Sequence, residues 1–246
     1  MDEQAIWTVA ATAAAVFAGS LIRTLTGFGF SLAAVPLLAL IWPADQAVAI
    51  AVLFQTVGAL HGVSQQSRHV DWRLFFGVAI GAPVGLVPGL ALLQWLPESV
   101  LRVTLAGLIL LSVVAIMTGA RLRGPITPLR LALVGAGSGF TQGLAGAAGP
   151  PLMTALLAMP TLSPARIRAT ATAIFLVFGL ASLVALGFGG SLDGLSAGEY
   201  GIVGAGMLAG YFAGDRLFRL TGDSGFRRMS LLLLAFSALI TLVPLW

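Results

Sequence analysis

With 246 residues, 58% of them apolar, 9% charged and a mean hydropathy of +1.00, the chain is too apolar for a water-soluble domain of its length. All thirteen basic residues are Arg, scattered in twos and threes between apolar runs, so a pI near 11 reads as membrane topology and not as nucleic-acid binding. No cysteine is present, which removes disulfide and thiolate chemistry.

Acidic and basic residues leave nine charge-free stretches, at 4–22, 24–44, 46–67, 74–97, 103–120, 131–165, 169–192, 200–214 and 229–246. A span needs about 20 mostly apolar residues to cover roughly 30 Å of hydrocarbon, so the pattern predicts an all-α polytopic membrane protein. The start, Met1-Asp2-Glu3-Gln4, is acidic where a cleaved signal peptide is basic, and residues 5–22 are read as a retained first segment. Segments 1 and 2, at about 5–24 and 29–42, are joined by a broken turn, Thr26-Gly27-Phe28-Gly29. Residues 131–165 would make a rod of roughly 52 Å, yet Gly135, Gly137, Gly139, Gly143, Gly146, Gly149, Pro150 and Pro151 interrupt it. That stretch is expected to fold back at about 144–149, which makes ten segments. Ten crossings, or eight full spans plus two broken hairpins, both fit the pattern.

Alternating the segment ends between two sides gathers Arg23, Arg68, Arg73, Arg121, Arg123, Arg130, Arg166, Arg168, Arg216, Arg219, Arg227 and Arg228 on one side. The other side receives Arg102 with Asp2, Glu3, Asp45, Glu98, Asp193 and Glu199. Arginine concentrates on the cytoplasmic face, so both termini are expected outside.

The chain also resembles itself at an offset of about 119 to 125 residues. Arg23-xxx-Gly27 falls on Gln142-xxx-Gly146, the ladder Gly81, Gly85, Gly89 falls on Gly206, Gly210, Gly214, and Arg102 falls on Arg227. Two repeats of five segments follow, at 1–124 and 125–246, and an odd number of segments inverts the second copy in the membrane. A glycine-rich broken hairpin opens each half, and a Pro-rich step (Trp42-Pro43-Ala44 and Leu162-Ser163-Pro164-Ala165) leads into an Ala-rich helix. In this arrangement the chain resembles the TauE/SafE family over essentially its whole length. The resemblance implies export of sulfite or organosulfonate anions across a bacterial inner membrane.

Broken helices expose amide N–H groups and helix amino-terminal ends, which attract an anion and replace part of its hydration. Gly27, Phe28 and Gly29 at the first break, and Gly146 and Gly149 at the second, are therefore candidate binding positions. Arg23 stands one helical turn before Gly27, where its guanidinium can grip two oxygens of a sulfite or sulfonate, or alternatively snorkel to the interface. Gln142, its repeat mate, offers a neutral amide. Phe28 and Phe30 gate the first turn or simply pack. Gln55, Thr56, Thr170 and Thr172 are polar groups deep in apolar segments, and each is either a substrate contact or an interhelical hydrogen bond. The glycine ladders read as packing faces.

Catalysis is not expected. Ser138, in Gly137-Ser138-Gly139, lacks a histidine base, because His61 and His69 fall at the end of segment 3 and in the following loop. No metal set, no carboxylate pair in an apolar run and no phosphate-binding loop can be assembled, so neither a metal nor another cofactor is expected. The expected function is a secondary transporter that exports a small sulfur-containing anion by alternating access around a midplane site. An anion channel and an intramembrane enzyme are the rival readings. The expected partners are the small anionic substrate and the lipid bilayer, with a homodimer left open.

Overall fold

The computed structural model describes residues 3–217 apart from 27–28, 98, 158, 160–161, 189–194 and much of 101–126. Gly27, Phe28 and the expected last segment, 229–246, thus lie outside the described residues. The regular elements among the described residues are helical: α1 (Glu3–Thr26), α2 (Phe30–Leu38), α3 (Ala44–Gln66), a 3-10 turn (Ser67–His69) and α4 (Trp72–Trp95). They continue with α5 (Pro128–Ala145), α6 (Gly149–Leu157), α7 (Pro164–Phe188) and α8 (197–217). Among the described residues, four stretches are long and apolar enough to cross a membrane: Glu3–Leu25, Ala44–His69, Trp72–Trp95 and Ala165–Gly187. By contrast α2 and α6 have nine residues each, about 14 Å of helix, which is half a bilayer core.

Local chemistry sets the helix ends. The Asp71 carboxylate accepts from the Leu74 amide (3.2 Å) at the start of α4, and the Thr127 hydroxyl accepts from the Arg130 amide (3.3 Å) at the start of α5. At α8 the Ser196 amide donates to the Glu199 carboxylate (2.7 Å) while the Glu199 amide donates to the Ser196 hydroxyl (3.4 Å), a reciprocal cap. The Ser196 amide and the Ser196 hydroxyl, both donating to it, hold the Glu199 carboxyl below its ordinary range. Helix α5 stops at Gly146, whose φ of 62° is the left-handed conformation glycine adopts without strain. The Gly146 amide donates to the Gln142 carbonyl (2.7 Å) and the Ala147 amide to the Thr141 carbonyl (3.2 Å), which closes the helix end.

The first two helices form an antiparallel hairpin. The Trp42 indole N–H donates to the Thr12 hydroxyl (2.9 Å), and Gly19 faces Ala34 and the Phe30 ring, so position rises along α1 as it falls along α2. Helices α5 and α6 fold back in the same way about Gly146, with Gly137 facing Pro151. All but one residue of α2 is buried. A short helix that is apolar all round must be enclosed by protein, and backbone broken at membrane depth is tolerated only there or beside a cavity.

The glycine ladders are packing seams, as their spacing implies. Gly81, Gly85 and Gly89 of α4 lie against the backbone carbonyls of Ala132, Ala136 and Phe140, while Gly135, Gly139 and Gly143 of α5 lie against those of Val78, Ala82 and Leu86. Gly206, Gly210 and Gly214 of α8 face the carbonyls of Ala13, Phe17 and Leu21 on α1. Both pairs run parallel, at a separation that only missing side chains allow. One core gathers α2, the first half of α3 and the end of α5, and a second joins α6 and α7 to α4. On the outside, Ile80, Val84, Val87 and Trp95 of α4 and Leu129 and Leu133 of α5 are exposed, an apolar surface suited to lipid.

Candidate functional site

Gln55 is the central residue of the 23-residue α3, and the two chain breaks converge on it. At the first break Gly29 caps α2 and has no side chain with which to satisfy the leading amides of that helix. At the second break Gly149, Pro150 and Pro151 open α6, and proline has no N–H to offer. A methyl built on Gly149 would lie 3.5 Å from the Gly29 amide nitrogen, and one built on Gly146 would lie 3.4 Å from the Ser31 hydroxyl oxygen. The two breaks therefore touch.

A line of buried side chains joins them. The Ser31 hydroxyl donates to Gln55 Oε1 (2.8 Å), Gln55 Nε2 donates to Gln142 Oε1 (3.3 Å), and Gln142 Nε2 donates to the Ser182 hydroxyl (3.5 Å). The Ser182 hydroxyl in turn donates to the Phe178 carbonyl (2.9 Å). The same Gln142 Oε1 accepts from the Ala148 amide (3.1 Å), so the donor just ahead of α6 is satisfied from within the protein. The two breaks are chemically unequal in a way their shared glycines conceal. The first keeps its leading amides without a side-chain cap, whereas the second has two prolines and one amide already bonded.

Arg23 lies at the end of α1, half-buried, and its Nη1 donates to the Gln55 backbone carbonyl (3.2 Å). Gly58, one turn further along α3, makes the room: a methyl there would collide with Arg23 Nη1. The guanidinium is thus drawn in towards the middle of α3 instead of extending outward.

From Arg23 a cavity of about 540 Å³ extends towards the Arg68 end of α3. Helices α1 and α2 line it with Ser20, Arg23, Thr24 and Phe30, and α3 with Val57, Gly58, His61, Gly62, Gln65 and Gln66. Helix α7 adds Arg168, Thr172 and Phe175, and α8 adds Met207, Leu208, Tyr211, Phe212 and Asp215. Two guanidiniums face one carboxylate, so the lining carries excess positive charge, which favours an anion. His61 and Tyr211 meet edge to face with centroids 5.7 Å apart. Phe30 lines the cavity, with its ring against Gly19 of α1.

Of the residues singled out from sequence, Arg23, Gly29, Gln55, Gln142, Gly146 and Gly149 lie together. Gly27 and Phe28 fall outside the described residues. Thr170 lies elsewhere: its hydroxyl is fully buried and accepts from the Asp71 amide (2.9 Å), tying α7 to the start of α4. Thr172, two positions on and so on the opposite face of the helix, lines the cavity instead. Thr56 donates to the Val52 carbonyl (2.6 Å) and packs against Gly179. Sequence reading missed Ser182, a polar residue in a charge-free stretch that the same criterion covers. His61, placed at the end of segment 3, and Arg168, gathered with the arginines of one side, also line the cavity.

A family model described as sulfite exporter TauE/SafE matches residues 11–241. The chain belongs to the TauE/SafE family. Members of this family are transporters, and with the apolar helices this makes the chain a membrane-embedded transporter of the sulfite-exporter type. No curated protein and no solved structure matches it.

Proposed function

We propose that the protein is a secondary transporter that moves a small sulfur-containing anion, sulfite or an organosulfonate, outward across the bacterial inner membrane. The observation that carries this reading is the Arg23 guanidinium, seated at the head of a positively charged cavity beside the meeting point of two broken helices. The halves 1–124 and 125–246 act as inverted repeats, with eight full spans, two hairpins entering from opposite faces, and both termini outside. The nine-residue α2 and α6, each folded back on the helix before it, support hairpins over full crossings.

In this mechanism the cavity is the cytoplasmic entrance. Arg168, exposed at the cavity, raises the local anion concentration, and Arg23 takes the oxyanion head with paired N–H donors. The amides that open α2 replace water, and the anion passes beside Phe30 to the Ser31 and Gln55 side chains. Rocking of the halves then exposes the tips to the other side. An inside-negative potential contributes about 2.3 kcal/mol per exported charge at about 100 mV, so export needs no coupled ion.

The test is sulfite flux in proteoliposomes. A carrier gives saturable flux and accelerates exchange when sulfite is present on both sides, whereas a pore passes current in proportion to driving force. Binding is then measured for Arg23→Gln and Arg23→Lys, and unchanged sulfite affinity in both removes Arg23 from the site.

A further inference from the structure

We propose that the Gln142 carboxamide oxygen stands in for a substrate oxygen, and that the sulfite or sulfonate head displaces it, the released amide passing to Ser138. The inference rests on the anion-exporter reading and says how the tip site is closed when no anion fills it.

Gln142 Oε1 receives two N–H donors from different elements, the Gln55 side-chain amide of α3 (3.3 Å) and the Ala148 backbone amide ahead of α6 (3.1 Å). Two convergent N–H groups are what one oxygen of a sulfur oxyanion requires, and they bind it more strongly than a neutral carbonyl. The direction of the network follows from its ends. The Ala148 amide can only donate and the Phe178 carbonyl can only accept, so the Gln142 oxygen faces the tips and its nitrogen faces Ser182. The Ser31 hydroxyl, donating to Gln55 Oε1, leaves the Gln55 nitrogen turned towards Gln142. Arg23, bonded to the Gln55 carbonyl, supplies the positive charge on the same residue.

An independent feature gives the displaced amide somewhere to go. Ser138 is fully buried, and its hydroxyl is the buried side-chain group without a hydrogen-bond partner among the described residues. Such a group is unfavourable in this state, and a partner gained in a second state accounts for its presence. Ser138 lies four residues before Gln142 on the same face of α5, and helical side chains lean towards the helix start, so the Gln142 amide reaches it by rotating its own side chain.

The experiment is calorimetric titration of the detergent-solubilised full chain with sulfite. Gln142→Ala frees both donors and binds sulfite within threefold of the parent or more tightly. Gln142→Glu places a permanent carboxylate on the same donors and binds more than threefold more weakly. Ser138→Ala weakens binding about threefold. A structural crosslink predicts the opposite order, so weakening beyond threefold in Gln142→Ala, or affinity within threefold in Gln142→Glu, overturns the inference. Size exclusion and thermal midpoint confirm that each variant is folded, and Gln142→Asn, one methylene too short to reach Ala148, replaces the alanine variant if that one does not fold. A parent that binds no sulfite sinks the exporter reading itself, while a parent that binds with the order reversed sinks only the displacement.

Discussion

The two hairpins share a plan and differ in how they are fastened. Helix α5 is joined to α4 by glycines on both sides, Gly135, Gly139 and Gly143 against Gly81, Gly85 and Gly89, with backbone against backbone. Helix α1 meets the glycines of α8 with Ala13, Phe17 and Leu21, so only one side of that seam is bare. Their tips differ in the same sense. The α5–α6 tip is closed by its left-handed glycine end, by Pro150 and Pro151, and by Gln142 on the Ala148 amide. The α1–α2 tip carries a cation, a glycine cap and the wall of the cavity. On the proposed repeat the two copies then divide the labour, one serving mainly as the frame and the other bringing the charge and the cavity that admit the anion.

The largest effect is expected where this contrast is mechanical. Gly85→Leu drives a side chain into the Ala136 carbonyl and the Phe140 amide, where neither backbone can withdraw. Overpacking of this kind costs about 3 kcal/mol or more, and the variant should unfold in detergent well below the parent midpoint. Gly210→Leu, against Phe17 on the one-sided seam, should lower the midpoint less. Equal loss in both would remove the distinction between frame and moving part. Hydrogen exchange gives a second measure, with slower exchange expected along α5 than along α1.

Next in size is the chemical contrast. Arg23→Gln makes the two tips alike at the position where the proposed repeat aligns Arg23 with Gln142. Charge-assisted hydrogen bonds contribute about 2 to 3 kcal/mol, so sulfite affinity should fall roughly 30- to 150-fold. The thermal midpoint should hold or rise, since a partly buried cation is lost. A loss below threefold would mean that the charge at the first tip does not distinguish it.

Much of this is legible in the sequence. Charge-free runs located the helices among the described residues, the clusters of Gly and Pro located both breaks, and four-residue glycine spacing identified the seams. Which helices those seams join was not legible, since spacing alone does not say that α4 takes α5 and α1 takes α8. Nor was helix rotation, which sends Thr170 to Asp71 and Thr172 to the cavity from positions two apart. The inequality of the tips was legible in part. Pro150 and Pro151 stand in the sequence, and reading them only as helix breakers overlooked that each also deletes an amide donor. That Gln142 bonds the amide of Ala148 is not legible there, because a flexible side chain has many partners within reach.

A smaller change tests how Arg23 is held. Gly58→Ala places a methyl against Arg23 Nη1 and forces the guanidinium off the Gln55 carbonyl, without touching the charge itself. Binding should weaken by about 1 kcal/mol, the scale of one hydrogen bond, or roughly fivefold. Alanine is a better helix residue than glycine by about 0.5–1 kcal/mol, so the thermal midpoint should hold or rise as affinity falls. Opposite signs in the two measurements separate a displaced ligand from a damaged fold.

The smallest effect concerns the closed tip. Pro150→Ala restores one backbone N–H at the start of α6 while the chain there keeps a conformation alanine can adopt. If the second tip is a frame because its donors were removed, returning one should make it more like the first, and sulfite affinity should rise about two- to threefold. The loss of proline loosens the unfolded chain and lowers stability by about 0.4–1 kcal/mol, so a modest fall in the thermal midpoint accompanies the gain. Affinity unchanged, with that fall observed, would mean that the amides opening α6 do not face the anion, and the difference between the tips would then rest on Arg23 alone.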